Sequence, residues 1–314
     1  MVFIMKTIQI GGSSLKATQI GLGCWQAGKR GWGDDYTDDQ IIDAIKFYIK
    51  SGGNYLDTAE IYGLGHSETL IAQALSEIPR NKYIIATKVN PPHVKNYKTM
   101  EMSLKGSLKR LNTDYIDLYQ LHWYEPNVPM SEIMMAFQKF QAEGWIKEIG
   151  VCNLSTPVLK DAVKSLKDSK IVSNQMEYSL LERNVERELV PYMKDQNITM
   201  IAYSPLAKGL LTGKYDKNFV PSDNIRQGDE LFNNPENRKI MDPLLKFLKR
   251  KSDEKKCTMG QLSLAYLMHK GALIIPGAKN SDQVKQNLES ELITLSKNEI
   301  EEMDLKSNLE FIYA

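Results

Sequence analysis

Eight short runs rich in β-branched and aromatic residues alternate with stretches of helical periodicity along 314 residues. That alternation limits the fold more than any other property of the chain. The runs are Gln19–Leu22, Asn54–Asp57, Tyr83–Thr87, Tyr115–Leu121, Ile146–Val151, Ile171–Gln175, Ile198–Tyr203 and Ala272–Ile275. Helices are expected at Asp38–Ser51, Ser67–Glu77, Thr99–Leu111, Met130–Glu143 and Val185–Lys194, and a further one after Ser155-Thr156-Pro157, a good cap with proline in the first turn. A long polar segment follows Tyr203, and four more helices are expected at Asn237–Glu254, Met259–Lys270, Ser281–Glu289 and Lys297–Lys306. Ahead of all of these, Met5–Ile10 and Ser14–Thr18 flank Gly11-Gly12 and read as a β-hairpin capping the entrance to the fold. No linker rich in Pro, Gly or Ser divides the series. The expectation is one α/β domain over 1–314, a (β/α)8 TIM barrel with an N-terminal β-hairpin cap and a C-terminal helix and tail. A doubly wound sheet also alternates, but it needs a phosphate loop. The only candidate, Gly21-Leu22-Gly23, has Gln26 where a third glycine belongs, and no acidic residue closes a second strand at the expected place.

Bulk properties exclude several classes of function. Forty basic residues face 39 acidic ones, and no basic stripe with interleaved aromatics stands out, which argues against nucleic acid as a partner. No apolar run approaches the roughly 20 residues of a membrane span. Met1–Lys6 lacks the apolar core of a signal peptide, Met5 is an alternative start, and Cys24, Cys152 and Cys257 are odd in number and far apart. The chain therefore reads as cytoplasmic. His66, His93, His122 and His269 form no spaced cluster, so no metal site is expected and a metal-dependent barrel hydrolase lacks its ligands.

Asp57, Tyr62, Lys88 and His122 stand at or just past the ends of successive β runs. In a parallel α/β fold such positions gather at one rim, where an acid, a phenol, an amine and an imidazole form a proton-transfer set. A phenol with a pKa near 10 is a poor acid at neutral pH. A neighbouring ammonium favours the phenolate, so Lys88, held by Asp57, is expected to lower the pKa of Tyr62. His122 can hydrogen-bond the same reacting oxygen or relay its proton. The apolar flanks of Lys88 and Asp57 imply burial, and a buried charge pair is explained more easily by function than by stability.

With these residues in view, the chain resembles the aldo-keto reductase superfamily. Asp57-Thr-Ala-Glu-Ile-Tyr62-Gly63, running on to Ser67-Glu68, is similar to its signature, and Lys88 after Ile-Ile-Ala-Thr and Leu121-His122-Trp123 match its other catalytic segments. The match continues through Gly150-Val-Cys-Asn153, Asn174-Gln-Met-Glu-Tyr178, Ala202-Tyr-Ser-Pro-Leu206 and Ile275-Pro-Gly-Ala-Lys279. The resemblance implies that Tyr62 is the proton donor, that Lys88 and Asp57 tune it, and that His122 orients or protonates a carbonyl reduced by hydride from a nicotinamide.

The same resemblance implies a dinucleotide lying extended across the C-terminal rim, NADPH with NADH also admitted. Tyr203 offers a flat face for the nicotinamide, while Asn153 and Gln175 carry the donors and acceptors a carboxamide requires. Ser204, Leu206 and Gly209 lie in the loop that covers the pyrophosphate in the family. Gly277, Lys279, Gln283, Gln286 and Asn287 match the positions holding the adenosine end. Gly23, Trp25 and Asp57 complete the cofactor set. Lys279, which stands rather isolated in the sequence, and Arg226 in the long loop are the cations expected at the phosphates. Cys152 departs from the Ser found beside this Asn in many relatives, and a thiol is a poorer donor to the carboxamide.

Trp25, Tyr62, His122 and Trp123 are the expected substrate contacts, with Tyr55 and Tyr124 as further walls of an aromatic mouth and Trp32, beside Asp34-Asp35, at its rim. The short tail Lys306–Ala314 favours an open site for small or polyhydroxylated substrates. The expected partner is a small carbonyl or alcohol, and monomer and homo-oligomer both stay open. The second reading, taken from relatives that work mainly as auxiliary subunits, is an NADPH-binding regulatory subunit with little turnover.

Overall fold

The computed structural model describes residues 5–33, 35–215 and 219–312. Two strands, β1 (Thr7–Gln9) and β2 (Lys16–Thr18), pair antiparallel. Eight more form one parallel sheet in sequence order: β3 (Leu22–Gly23), β4 (Tyr55–Asp57), β5 (Ile84–Val89), β6 (Ile116–Leu121), β7 (Ile146–Cys152), β8 (Ile171–Glu177), β9 (Thr199–Tyr203) and β10 (Leu273–Ile274). Parallel bridges Ile20↔Ile274 and Gly23↔Gly277 join the two edges, so the sheet closes into the expected (β/α)8 barrel.

Helices α1 (Asp38–Lys50), α2 (His66–Leu75), α3 (Tyr97–Leu111), α4 (Met130–Ala142), α5 (Thr156–Lys164) and α6 (Leu189–Asp195) separate the strands from β3 to β9. The sequence dictates α1 plainly. Thr37 and Gln40 form a capping box, Asp38 and Asp39 occupy the first turn and Lys50 the last, while Ile41, Ala44, Ile45 and Tyr48 recur on one buried face. Helix α6 starts four residues later than the Val185 boundary because a separate 3₁₀ turn, Asn184–Glu186, precedes it. The polar segment after β9 holds a 3₁₀ stretch, Ala207–Thr212, and two one-turn helices, α7 (Asn224–Gln227) and α8 (Glu230–Asn233). Helices α9 (Pro235–Lys255), α10 (Met259–His269), α11 (Ser281–Leu288) and α12 (Lys297–Lys306) complete the chain, with the end of the tail, Tyr313 and Ala314, outside the described residues. Among the described residues no helix is long and apolar enough to cross a membrane.

The barrel interior is layered. At the end where the strands begin, the hairpin contributes Ile10, Leu15 and Ala17 to an apolar plug with Tyr55, Ile84, Ala86, Leu118, Val172, Ile201 and Leu273. Gly11, at φ +50°, lies against the carbonyls of Val172 and Asn197, so the hairpin seals the end opposite the strand termini. Above the plug the inward positions turn polar. Register pairs Asp57 with Ala86, Lys88 with Gln120 and Cys152 with Gln175. Because side chains alternate across a strand, Tyr55 and Asp57 share a face one layer apart. Tyr55 therefore belongs to the plug and not to an aromatic mouth.

The Tyr55 hydroxyl is buried and has no hydrogen-bond partner among the described residues, whereas its ring is fully buried in the plug. Tyr55→Phe is expected to leave the urea midpoint unchanged or raised, and Tyr55→Ala to cost about 3–5 kcal/mol. A clear loss of stability in Tyr55→Phe contradicts the layered interior.

Candidate active site

The polar layer centres on Asp57 and Lys88, which close β4 and run through β5. Lys88 Nζ donates to Asp57 Oδ1 at 2.5 Å and to the Thr58 carbonyl at 2.8 Å, and it lies 3.4 Å from the Tyr62 hydroxyl. Lys88 is wholly buried and Asp57 is 2% exposed. The second carboxylate oxygen accepts from Gln175 Nε2 at 2.7 Å and Gln120 Nε2 at 3.2 Å. A buried ion pair is tolerable when its remaining lone pairs and protons are satisfied in this way. Burial works against the Lys88 ammonium, but Asp57 and Tyr62 outweigh it and hold its pKa above the usual lysine value.

Tyr62 is reached by a turn after β4 that packs backbone on backbone against the loop after β3. A Cβ on Gly28 would lie 2.5 Å from the Tyr62 carbonyl carbon, and Gly63 takes φ +63°. The phenol stacks on Trp25 at 6.0 Å between centroids and meets the His122 ring edge-on at 5.9 Å. Its pKa corrects the simplest expectation. Burial pushes it up to about 12, and the Lys88 ammonium, the next largest influence, pulls it down without winning. At neutral pH Tyr62 is a protonated donor.

His122 follows β6, and its carbonyl accepts from Asn153 Nδ2 at 3.1 Å. Burial, then the positive charge of Lys88, pushes its pKa down to about 3, so the imidazole is neutral. Its buried Nδ1 has no hydrogen-bond partner among the described residues.

These groups line or lie beneath a cleft of about 1290 Å³ on the C-terminal rim. Gly23, Trp25, Asp57, Tyr62, His122, Trp123, Asn153, Gln175, Tyr203, Ser204, Leu206, Gly209, Arg226, Gly277, Lys279, Gln283, Gln286 and Asn287 all line it. Lys88 does not; it lies beneath, within reach of the Tyr62 hydroxyl. Tyr124 packs against the core outside the cleft, and Trp32 is a buried wall residue, not a rim one. Asp34 lies outside the described residues.

Several polar side chains are already engaged. Gln175 gives its amide to Asp57, and Asn153 Oδ1 accepts from the Tyr203 hydroxyl at 3.0 Å. Cys152 donates to Gln120 Oε1 at 3.6 Å, which turns its thiol toward the polar layer. Lys279 is not isolated, since its ammonium pairs with Asp35 at 2.6 Å. Arg226 pairs with Asp223 at 2.6 Å and lies over the Trp32 ring. Sequence reasoning missed Gln120. The available signal was a polar residue between Tyr119 and Leu121 in a strand buried at every position.

The cleft suits an extended dinucleotide. Tyr62 and His122 line it together with the amides of Asn153, Gln175, Gln283 and Gln286, the cations Arg226 and Lys279, and several glycines that leave room along the wall. Gly277, where a Cβ would lie 2.2 Å from Gln26 Oε1, and Gly209, at φ +103°, are two of them. No group of three or more His, Cys, Asp or Glu that could hold a metal ion occurs among the described residues.

Comparison with known proteins agrees with this geometry. The Aldo/keto reductase family model matches residues 19–308, and the chain belongs to that family. It is 36% identical over 297 residues to an uncharacterized oxidoreductase of Mycobacterium tuberculosis, covering 93% of this chain and 90% of that one. It is 30% identical to the NADH-specific methylglyoxal reductase of Escherichia coli, covering 93% and 95%. Among solved structures it resembles an aldo/keto reductase from Klebsiella pneumoniae in complex with NADP and acetate. The TM-score is 0.77 and the identity 30%, with 96% and 95% of the chains covered.

The His122 geometry carries a pH prediction. Its folded pKa lies below the ordinary value of 6.5, so the unfolded chain takes up the proton first as pH falls. The stability linked to neutral His122 is thus fully present above about 6.5 and declines toward about 3. By NMR, the His122 ring signal should stay flat from pH 8 to about 5, and His122→Gln should lose less stability than wild type over that range. A His122 midpoint near 6.5 contradicts the assignment.

Proposed function

We propose that this oxidoreductase reduces aldehydes, ketones or sugar-derived carbonyls to alcohols, reversibly, with Tyr62 as general acid. NADPH is the reductant, and NADH is also accepted. The observation that carries the reading is the Tyr62 hydroxyl on the cleft wall, 3.4 Å from an ammonium that is wholly buried and fixed by Asp57.

A nicotinamide bound in the cleft supplies the hydride. The chain's own residues do the rest. Trp25, Tyr62, His122 and Trp123 surround the reacting carbonyl, and the neutral imidazole can share its oxygen with the phenol. As negative charge develops on that oxygen, Tyr62 gives up its proton, and the adjacent Lys88 ammonium stabilises the phenolate left behind. Asp57 and the Thr58 carbonyl hold Lys88 in place, and Gln120 and Gln175 hold Asp57. A phenol at about 12 keeps its proton at neutral pH, which suits the reductive direction. Tyr203 provides the stacking face, and Asn153, Gln175, Ser204, Leu206, Gly209, Arg226, Gly277, Lys279, Gln283, Gln286 and Asn287 hold the remainder of the dinucleotide. Trp123, 49% exposed at the mouth, meets substrate first.

The test compares wild type with Tyr62→Phe on a panel of carbonyls. Turnover should fall by about 10²–10⁴ while NADPH binding stays within roughly threefold. Equal turnover removes Tyr62 as the acid. Tight NADPH binding by wild type with no turnover on any carbonyl favours the auxiliary-subunit reading instead.

A further inference from the structure

Five cations line the cleft among the described residues: Arg30, Lys208, Lys214, Arg226 and Lys279. Three of them are already matched to carboxylates. Lys208 pairs with Asp229 at 2.5 Å, Arg226 with Asp223 at 2.6 Å and Lys279 with Asp35 at 2.6 Å.

The three pairs differ in how readily they can be exchanged. Asp223 caps α7 and also accepts the Arg226 backbone N–H at 3.0 Å, and both side chains are nearly buried. Arg226 is anchored again by donating to the Lys208 carbonyl at 2.9 Å and by its position over Trp32. That pair is part of the wall. Lys208 and Asp229 are likewise largely covered. Asp35 is different, because its side chain is 71% exposed while Lys279 is 17% exposed. The Lys279 ammonium is held in place independently by the Trp32 carbonyl at 3.1 Å and the Tyr36 ring at 4.6 Å. Asp35 can therefore leave without releasing the lysine, and an exposed ion pair costs little to break.

We propose that Asp35 sets the cofactor selectivity of this chain: its carboxylate occupies the Lys279 ammonium that a 2′-phosphate needs, and so narrows the preference for NADPH over NADH. The inference rests on the proposed function, in which the adenosine end lies at Lys279. A 2′-phosphate entering there must displace Asp35 or accept its like charge, whereas a 2′-hydroxyl does neither. The effect is electrostatic and near the surface, so it must weaken with salt.

The experiment is a fluorescence titration of wild type, Asp35→Asn and Lys279→Met with NADPH and NADH, at low salt and at about 0.5 M KCl. Asp35→Asn should tighten NADPH roughly three- to tenfold at low salt, leave NADH within about twofold, and lose most of the gain at high salt. Lys279→Met should weaken NADPH selectively. If Asp35→Asn shifts both cofactors alike, or neither, while Lys279→Met still weakens NADPH, the proposal for Asp35 is overturned and the placement of the adenosine end stands. If Lys279→Met leaves the ratio of the two affinities unchanged, the placement fails and the proposal falls with it.

Discussion

The ion pair between Lys88 and Asp57 is the constraint on which the rest of the site depends. Both groups lie under the cleft floor, where an unpaired charge would cost several kcal/mol. The fold meets that demand by closing every bond around them. The Thr58 carbonyl takes one ammonium proton, and Gln120 and Gln175 fill the other carboxylate oxygen. What remains of the ammonium's reach points at Tyr62. A positive charge is thereby kept buried and fixed beside the Tyr62 hydroxyl, the group proposed to meet the reacting oxygen. Burial alone would make that phenol a still poorer acid, and Lys88 is the counterweight.

The layered barrel interior makes this arrangement affordable. Hairpin residues and inward apolar side chains plug the end where the strands begin, and the polar layer faces the cleft through Asp57 and Gln175. Gly150 shows how tightly the layer is built: a Cβ there would stand 2.7 Å from Ser173 Oγ and 2.8 Å from Gln120 Cγ. The cleft above it is lined by strand ends, among them Asp57, Gln175 and Tyr203, and by loop residues past them such as Tyr62, His122 and Trp123.

Much of this was legible in the sequence, for identifiable reasons. Strand order and closure followed from the alternation of β runs and helices. Asp57, Tyr62, Lys88 and His122 stood out because strand ends in a parallel barrel share a rim. Other features were not legible, because they depend on which layer a residue occupies or on contacts between distant loops. Tyr55 resembled a mouth residue until register placed it one layer beneath Asp57. Gln120 lay inside an otherwise apolar strand, and only its inward direction gave it a partner. The pairing of Asp35 with Lys279, across 244 positions, has no local signature. The direction of the Tyr62 shift needed burial as well as the neighbouring charge, and burial proved the larger influence.

The central claim is that the Asp57–Lys88 pair acts on the reaction through Tyr62. A double-mutant cycle on kcat/KM measures this most directly, replacing the pair together by Asp57→Asn/Lys88→Met so that no charge is stranded. In the wild-type background the replacement should lower kcat/KM by about 10²-fold or more, and in the Tyr62→Phe background by less than about threefold. An equal loss in both backgrounds would mean that the pair supports the site without tuning its acid, and would contradict the account.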